Sequence, residues 1–144
     1  MLGRLSENEI EEVLTGSALG RIGCTDGKKI YVIPTNYVYD GKHILAHSMD
    51  GLKIDMMRTH PDVCFEVEEM QNFTNWRSVI LWGKYQELPD ERSRMAAMKA
   101  FTEKMMHVKI STTAPVKTSS AYGSVKPVMY RIVITEKTGR FEKD

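Results

Sequence analysis

Tyr31-Val32-Ile33-Pro34-Thr35-Asn36-Tyr37-Val38-Tyr39-Asp40-Gly41, followed by Lys42-His43-Ile44-Leu45-Ala46-His47-Ser48-Met49-Asp50-Gly51-Leu52-Lys53, decides how this chain folds. β-Branched and aromatic residues run up to an Asp-Gly pair, the signal of a tight hairpin turn. A second apolar run follows, then a loop with a hydroxyl, a glycine and a lysine, then a helix start that stops at His60-Pro61. Hydroxyl, backbone N–H and ammonium groups converging at a helix N-terminus can hold a phosphate. Many strand–loop–helix junctions carry the same residues as plain structure, so local chemistry leaves both readings open.

Outward from this stretch the chain reads as mainly β with short helices. Ser6 and Glu9 form a capping-box pattern, and Ile10, Val13 and Leu14 give the stripe of an N-terminal helix within residues 1–17, with Gly16 as its stop. Leu19 to Cys24 reads as a strand closed by a Thr25-Asp26-Gly27 turn, Lys29 to Tyr39 as the second, and His43 to His47 as the third. Pro34 removes one ladder donor and implies a bulge or an edge. Leu52, Met56 and Met57 make one face of a short helix.

Val63, Phe65 and Val67 alternate with polar residues, the mark of a half-buried strand. Trp76 to Leu88 is a long strand; its Val79-Ile80-Leu81-Trp82 run predicts burial on both faces, and Gly83 a bulge. Asp90 caps a helix whose inner face is Met95, Met98, Phe101 and Met105, read as core filling, with its Lys and Arg residues on a solvated face. Residues 107–127 are polar and aperiodic, which suits a long loop acting as a lid or binding loop. Val128, Tyr130, Ile132 and Ile134 form the last strand, ended by a polar tail from Thr138-Gly139-Arg140.

The 144 residues suit one domain, 1–144, with a real core. A net charge of +1 gives no broad field for nucleic acid or an anionic membrane. The apolar runs are too short to span a bilayer, and the polar start argues against a signal peptide. Cys24 and Cys64 lie far apart in strand contexts, as reduced thiols of a cytoplasmic protein would. No clustered Cys and His offer a metal site. Six strands with tight turns and short helices predict a mainly β, α+β fold, a small six-stranded antiparallel barrel with flanking helices. Too few crossover helices and no G-x-G-x-x-G argue against a Rossmann site; no Walker, zincin or nucleophile-elbow motif is present.

Pro34-Thr35-Asn36-Tyr37-x-Tyr39-Asp40-Gly41, then His47-Ser48-x-x-Gly51-x-Lys53, then His60-Pro61, resembles the FMN-binding split-barrel family, the pyridoxamine 5′-phosphate oxidase-like proteins. The nearest branch is that of the nitroimidazole-resistance proteins. Trp76 to Lys84 is similar to that branch's central strand and Ile132 to Arg140 to its closing strand. The resemblance implies a homodimer of six-stranded antiparallel split β-barrels with two FMN sites at the subunit interface. By motif position His47, Ser48 and Lys53 would surround the FMN phosphate and ribityl chain. Pro34, Thr35, Asn36 and Tyr37 would run along the isoalloxazine ring, mostly through backbone atoms. Arg77 and Ser78 would approach the flavin from the other subunit.

The pyridoxamine phosphate oxidases proper carry more basic residues on the strand matching Lys29 to Tyr39, and a C-terminal Arg/His motif. Here Val32, Ile33 and Tyr37 occupy that strand and the chain ends soon after Arg140, which argues against the vitamin-phosphate activity itself. The resemblance makes His47 the candidate catalytic residue, as proton donor near neutral pH; its plain alternative is a strand-closing side chain. Trp76 and Trp82 suit core or dimer packing. Three functions follow. One is an FMN-dependent oxidoreductase reducing a nitro compound or quinone with a nicotinamide donor, NAD(P)H. Another is a flavin carrier or sensor without turnover. The third is a split barrel holding haem or a deazaflavin.

Overall fold

The computed structural model describes residues 1–107 and 127–144. In chain order it contains β1 (Leu2–Arg4), α1 (Glu7–Gly16), β2 (Leu19–Thr25), β3 (Ile30–Asn36), β4 (Val38–Tyr39), β5 (His43–Ser48), α2 (Leu52–Thr59), β6 (Asp62–Asn72), β7 (Asn75–Glu87), α3 (Glu91–His107) and β8 (Val128–Glu142). The loop expected over 107–127 falls on residues 108–126, outside the described residues, and so does its reading as a lid.

Local chemistry sets the element ends. The Glu9 N–H donates to Ser6 Oγ at 3.2 Å and the Ser6 N–H to Glu9 Oε1 at 2.9 Å, closing the capping box of α1. Both Asp-Gly turns use one device. Asp26 accepts from the Lys28 and Lys29 N–H groups at 2.8 and 2.7 Å, and Asp40 from those of Lys42 and His43 at 2.8 and 2.6 Å. Gly27 and Gly41 then take positive φ, which a side chain would resist.

All strand pairs are antiparallel, in the order β3-β2-β6-β7-β8-β5-β4, with β1 added to β8. The predicted second strand is two strands that serve opposite ends of this order. β3 pairs with β2, and two residues later β4 pairs with β5. One residue, Tyr37, spans the gap, so the sheet must curl until its ends meet. At the crossing the Tyr37 N–H donates to Ala18 O at 3.1 Å. The fold is therefore the expected split barrel, with eight strands instead of six. Pro34 sits on β3, at an end of the strand order, where its missing donor matters least.

The barrel interior holds Ile22, Ile44, Phe65, Val79, Leu81, Tyr130 and Ile132, and α1 and α2 add Ile10, Val13, Leu14, Ile54, Met56 and Met57. A second cluster under α3 joins Val38, Leu45, Leu88, Ala97, Phe101 and Met129. Gly83 sits at a register break after Trp82, the expected bulge. A Cβ there would lie 2.4 Å from Val133 O.

Four expectations need correction. Along Val79 to Trp82 only Val79 and Leu81 are buried; Ile80 and Trp82 are 40% exposed on the outer face, because α1 and α2 join the inner core and α3 covers β5 and β8. The methionine stripe of α3 is not core: Met95, Met98 and Met105 are exposed, and the buried stripe is Ala97 and Phe101. The helix is rolled about one position, which sets small Ala97 against the sheet. Leu52 opens α2 exposed, and Ile54 takes the buried place. Thr138-Gly139-Arg140 continues β8 to Glu142, where it pairs with β1 and β7. Gly139 makes this possible, since a Cβ there would meet Leu5 and Ile10 within 2.9 Å.

Gly83→Ala should destabilise the protein by about 1–3 kcal/mol, the range for forced overpacking against backbone. Urea unfolding checks this; an unchanged midpoint would show that the bulge yields freely.

Candidate functional site

The curl brings two motif stretches to one seam, because β3 and β5 approach each other there. Along β3 the side chains alternate: Pro34 and Asn36 exposed, Thr35 and Tyr37 buried. Tyr37 is held from several sides. Its hydroxyl donates to Leu14 O at 2.6 Å, and its ring meets Phe65 edge-on at 5.2 Å. Burial pushes its phenol pKa up, so it stays protonated. A side chain so engaged leaves only backbone to face a ligand.

At the far side of the seam β5 ends in His47 and Ser48, both half-buried. Ser48 Oγ donates to Met49 O at 3.0 Å. Gly51 begins α2 with extended φ, no side-chain cap, and open space where a Cβ would be. The first-turn N–H groups of α2 are therefore not covered by a capping side chain. Lys53, in that turn, is half-buried, and burial pushes its ammonium pKa down. Among the described residues it makes no hydrogen bond or ion pair, and a half-buried ammonium without one favours an anion.

α2 is pinned by Arg58, which ties its last turn to Asp50 at 3.2 Å and to Glu87 on β7. The Tyr85 hydroxyl donates to the same Glu87 at 2.9 Å. This braces both ends of the short helix that presents Lys53.

His47 turns toward α3 and meets the Phe101 ring edge-on at 4.8 Å. Burial first, and the Lys53 charge second, hold its pKa below the ordinary 6.5. The expected titration near neutrality is thus displaced toward acid, and the ring is neutral at pH 7.

Arg77 and Ser78 have their side chains engaged by carboxylates of their own chain. They lie toward the opposite end of β7 from Glu87, ten and nine residues away along the strand. Arg77 is locked by Glu69 at 2.7 Å and Glu12 at 3.0 Å, and Ser78 Oγ donates to Glu66 at 3.1 Å. Arg77 and Trp76 line a cleft of about 500 Å³ at that end. Among the described residues no group of three His, Cys, Asp or Glu could hold a metal, and no helix is long and apolar enough to cross a membrane.

One residue at the seam was read as a solvated cation and is not. Lys104 on α3 is half-buried; its Nζ donates to Ser17 O and, at 3.1 Å, to Tyr37 O, and lies 4.3 Å from the Tyr37 ring centroid. Burial pushes its pKa down to about 8. Its signal was positional: Lys104 falls seven after Ala97 and three after Phe101, on the buried stripe.

The chain resembles known proteins over its full length. An uncharacterised protein of Rhizobium meliloti is 35% identical over 85 residues, 59% of this chain and 56% of that protein. The chain thus matches little more than half of that relative's length. A crystal structure of an FAD-binding protein from Mesorhizobium loti is 30% identical, with a TM-score of 0.79, covering 100% of this chain and 98% of that one. A candidate 5-nitroimidazole antibiotic-resistance protein from Bacteroides thetaiotaomicron shares the fold at 19% identity, TM-score 0.74, over 98% of this chain and 87% of that one. The family model described as pyridoxamine 5′-phosphate oxidase matches residues 6–141, and the chain belongs to that family.

Proposed function

We propose that this protein binds FMN as a homodimer and reduces a small electrophile, of nitro-compound or quinone type, with a nicotinamide donor. The observation that carries the reading is Lys53. A half-buried ammonium with no partner among the described residues stands in the first turn of an uncapped helix, five residues after Ser48 in the chain. That donor set fits a phosphate. The FAD-binding relative from Mesorhizobium loti supports a flavin, and the single-phosphate scale of the donor set favours FMN.

When bound, FMN supplies the redox chemistry, hydride transfer from a nicotinamide donor to the electrophile. The chain's own residues do the rest. Lys53, Ser48 and the α2 amides hold the phosphate. The backbone of Pro34, Thr35, Asn36 and Tyr37 would line the ring. His47 would deliver a proton, its protonated form gaining weight only on the acid side of the ordinary imidazole range.

The outer sheet face supports the dimer. Ile30 and Val32 are 79% and 61% exposed, and with Trp82 they line a groove of about 340 Å³. Ile80 lies two residues from Trp82 on the same face of β7. Apolar exposure of this kind marks an interaction surface. A second copy seated on it would carry its own Arg77 and Ser78 toward the first copy's seam.

Three outcomes are expected. Fluorescence titration should find FMN bound more tightly than riboflavin, with Lys53→Ala weakening FMN by about 1–3 kcal/mol, the scale of a charge-assisted hydrogen bond, and sparing riboflavin. Equal affinity for FMN and riboflavin would sink the phosphate site, and tighter FAD than FMN would name the other flavin. Sedimentation should show a dimer that Trp82→Arg dissociates with loss of FMN; a folded wild-type monomer holding FMN at low micromolar concentration contradicts it. Stopped-flow reduction by NADH or NADPH, then oxidation by a nitroaromatic, tests turnover, and no reduction by either donor leaves a flavin carrier. In that assay His47→Ala should keep FMN, lower turnover per flavin and remove the rise in turnover on the acid side. Released flavin with unchanged turnover per flavin would make His47 a packing residue.

A further inference from the structure

We propose that Lys104 is a positioning residue for the flavin ring: its ammonium gathers the Ser17 and Tyr37 carbonyls and so fixes the backbone crossing from β3 to β4. This rests on the reading that residues 34–37 line the ring.

The crossing is where the barrel is least supported by its own ladder. β3 ends at Asn36 and β4 begins at Val38, so Tyr37 belongs to neither strand. Its N–H is met by Ala18 O. Its carbonyl is met by Lys104 Nζ at 3.1 Å, and the same ammonium reaches Ser17 O, one residue before Ala18. One side chain thus binds together the end of β3 and the approach to β2. The Tyr37 ring closes the cage, 4.3 Å from Nζ. The peptide planes on either side of Tyr37 are fixed by these bonds, and rotation of either would turn the backbone polar groups of residues 34–37.

Stability alone does not explain a lysine here. Among the described residues no carboxylate pairs with Lys104, and its proton affinity is lowered by burial alone. A half-buried ammonium with no carboxylate partner is costly, and an apolar side chain of the same length would avoid that cost. What an apolar residue cannot do is draw two carbonyls to one point. The same helix face also reaches the phosphate side of the seam, because Phe101, one turn earlier, packs on His47. α3 therefore touches both walls of the seam, through Lys104 on the β3 side and Phe101 on the β5 side.

The test compares Lys104→Met and Lys104→Arg with wild type by titration with FMN and with riboflavin, alongside amide hydrogen exchange. Lys104→Met should weaken both flavins by the same factor, tenfold or more, since the ring and not the phosphate is misplaced. Lys104→Arg should restore both to within about threefold, because a guanidinium can still donate to two carbonyls. Exchange at the Tyr37 amide should speed up in Lys104→Met while the β6 and β7 amides keep their protection. Unchanged binding of both flavins overturns the proposal. Loss of FMN affinity alone would make Lys104 a phosphate ligand and also overturns it, as does global loss of protection that arginine does not rescue. If wild type binds no flavin, the proposed function fails by itself. Exchange then decides whether the clamp exists: faster exchange at Tyr37 supports it, and no change removes it.

Discussion

A single residue has to join the two ends of a sheet. β3 and β4 are separated only by Tyr37, yet they sit at opposite ends of the strand order. The chain cannot satisfy both pairings with an open sheet, so curvature is imposed by connectivity. Much else follows. The curl makes an inside for α1 and α2 to fill and puts β5's last residues near β3. It also makes Tyr37 a fully buried polar side chain that needs its bond to Leu14 O, since an unmet buried hydroxyl costs about 1–3 kcal/mol.

The same constraint shapes the charges. Several surface cations are paired: Arg21 with Glu66 and Glu68, Arg77 with Glu69 and Glu12, Arg58 with Asp50, Lys137 with Glu11. These pairs are exposed or half-exposed and worth little each. Lys53 and Lys104 differ. Both lie at the seam, both have their proton affinity lowered by burial, and neither pairs with a carboxylate among the described residues. A net charge of +1 hides this, because composition counts charges and not their neighbours.

What was legible in the sequence was what neighbouring residues decide. The Ser6–Glu9 box, the Asp40-Gly41 turn, the Gly83 bulge and the alternation of Val63, Phe65 and Val67 are short-range features, and each stands where its residues put it. The failures are tertiary. Period alone set the α3 stripe on methionines, but the choice between adjacent stripes depends on how closely the helix approaches the sheet, which Ala97 decides. Ile80 and Trp82 lie on the outer face, and an apolar run by itself does not say which of its residues the chain leaves exposed. The split at Tyr37 could not be read locally, since a continuous β-favouring run gives no sign that its two halves pair at opposite sheet ends. For the candidate site, Ser48, Gly51 and Lys53 were legible as one motif, while Lys104, 51 residues beyond Lys53 by the numbering, carried no local mark.

The two seam lysines show how one physical circumstance yields two roles. Each is an ammonium moved into a poorer solvent, and each must recover the lost hydration from whatever surrounds it. Lys104 recovers it internally, from two carbonyls and the face of a ring, so its charge is committed to shaping backbone. Lys53 recovers it from no described residue. It stands where the uncapped first turn of α2 also offers N–H groups, and the open space at Gly51 leaves the approach clear. A charge satisfied from within holds a wall in place; a charge left unsatisfied selects what comes to lie against it. Both needs arise where the sheet closes, so candidate site and barrel are one construction.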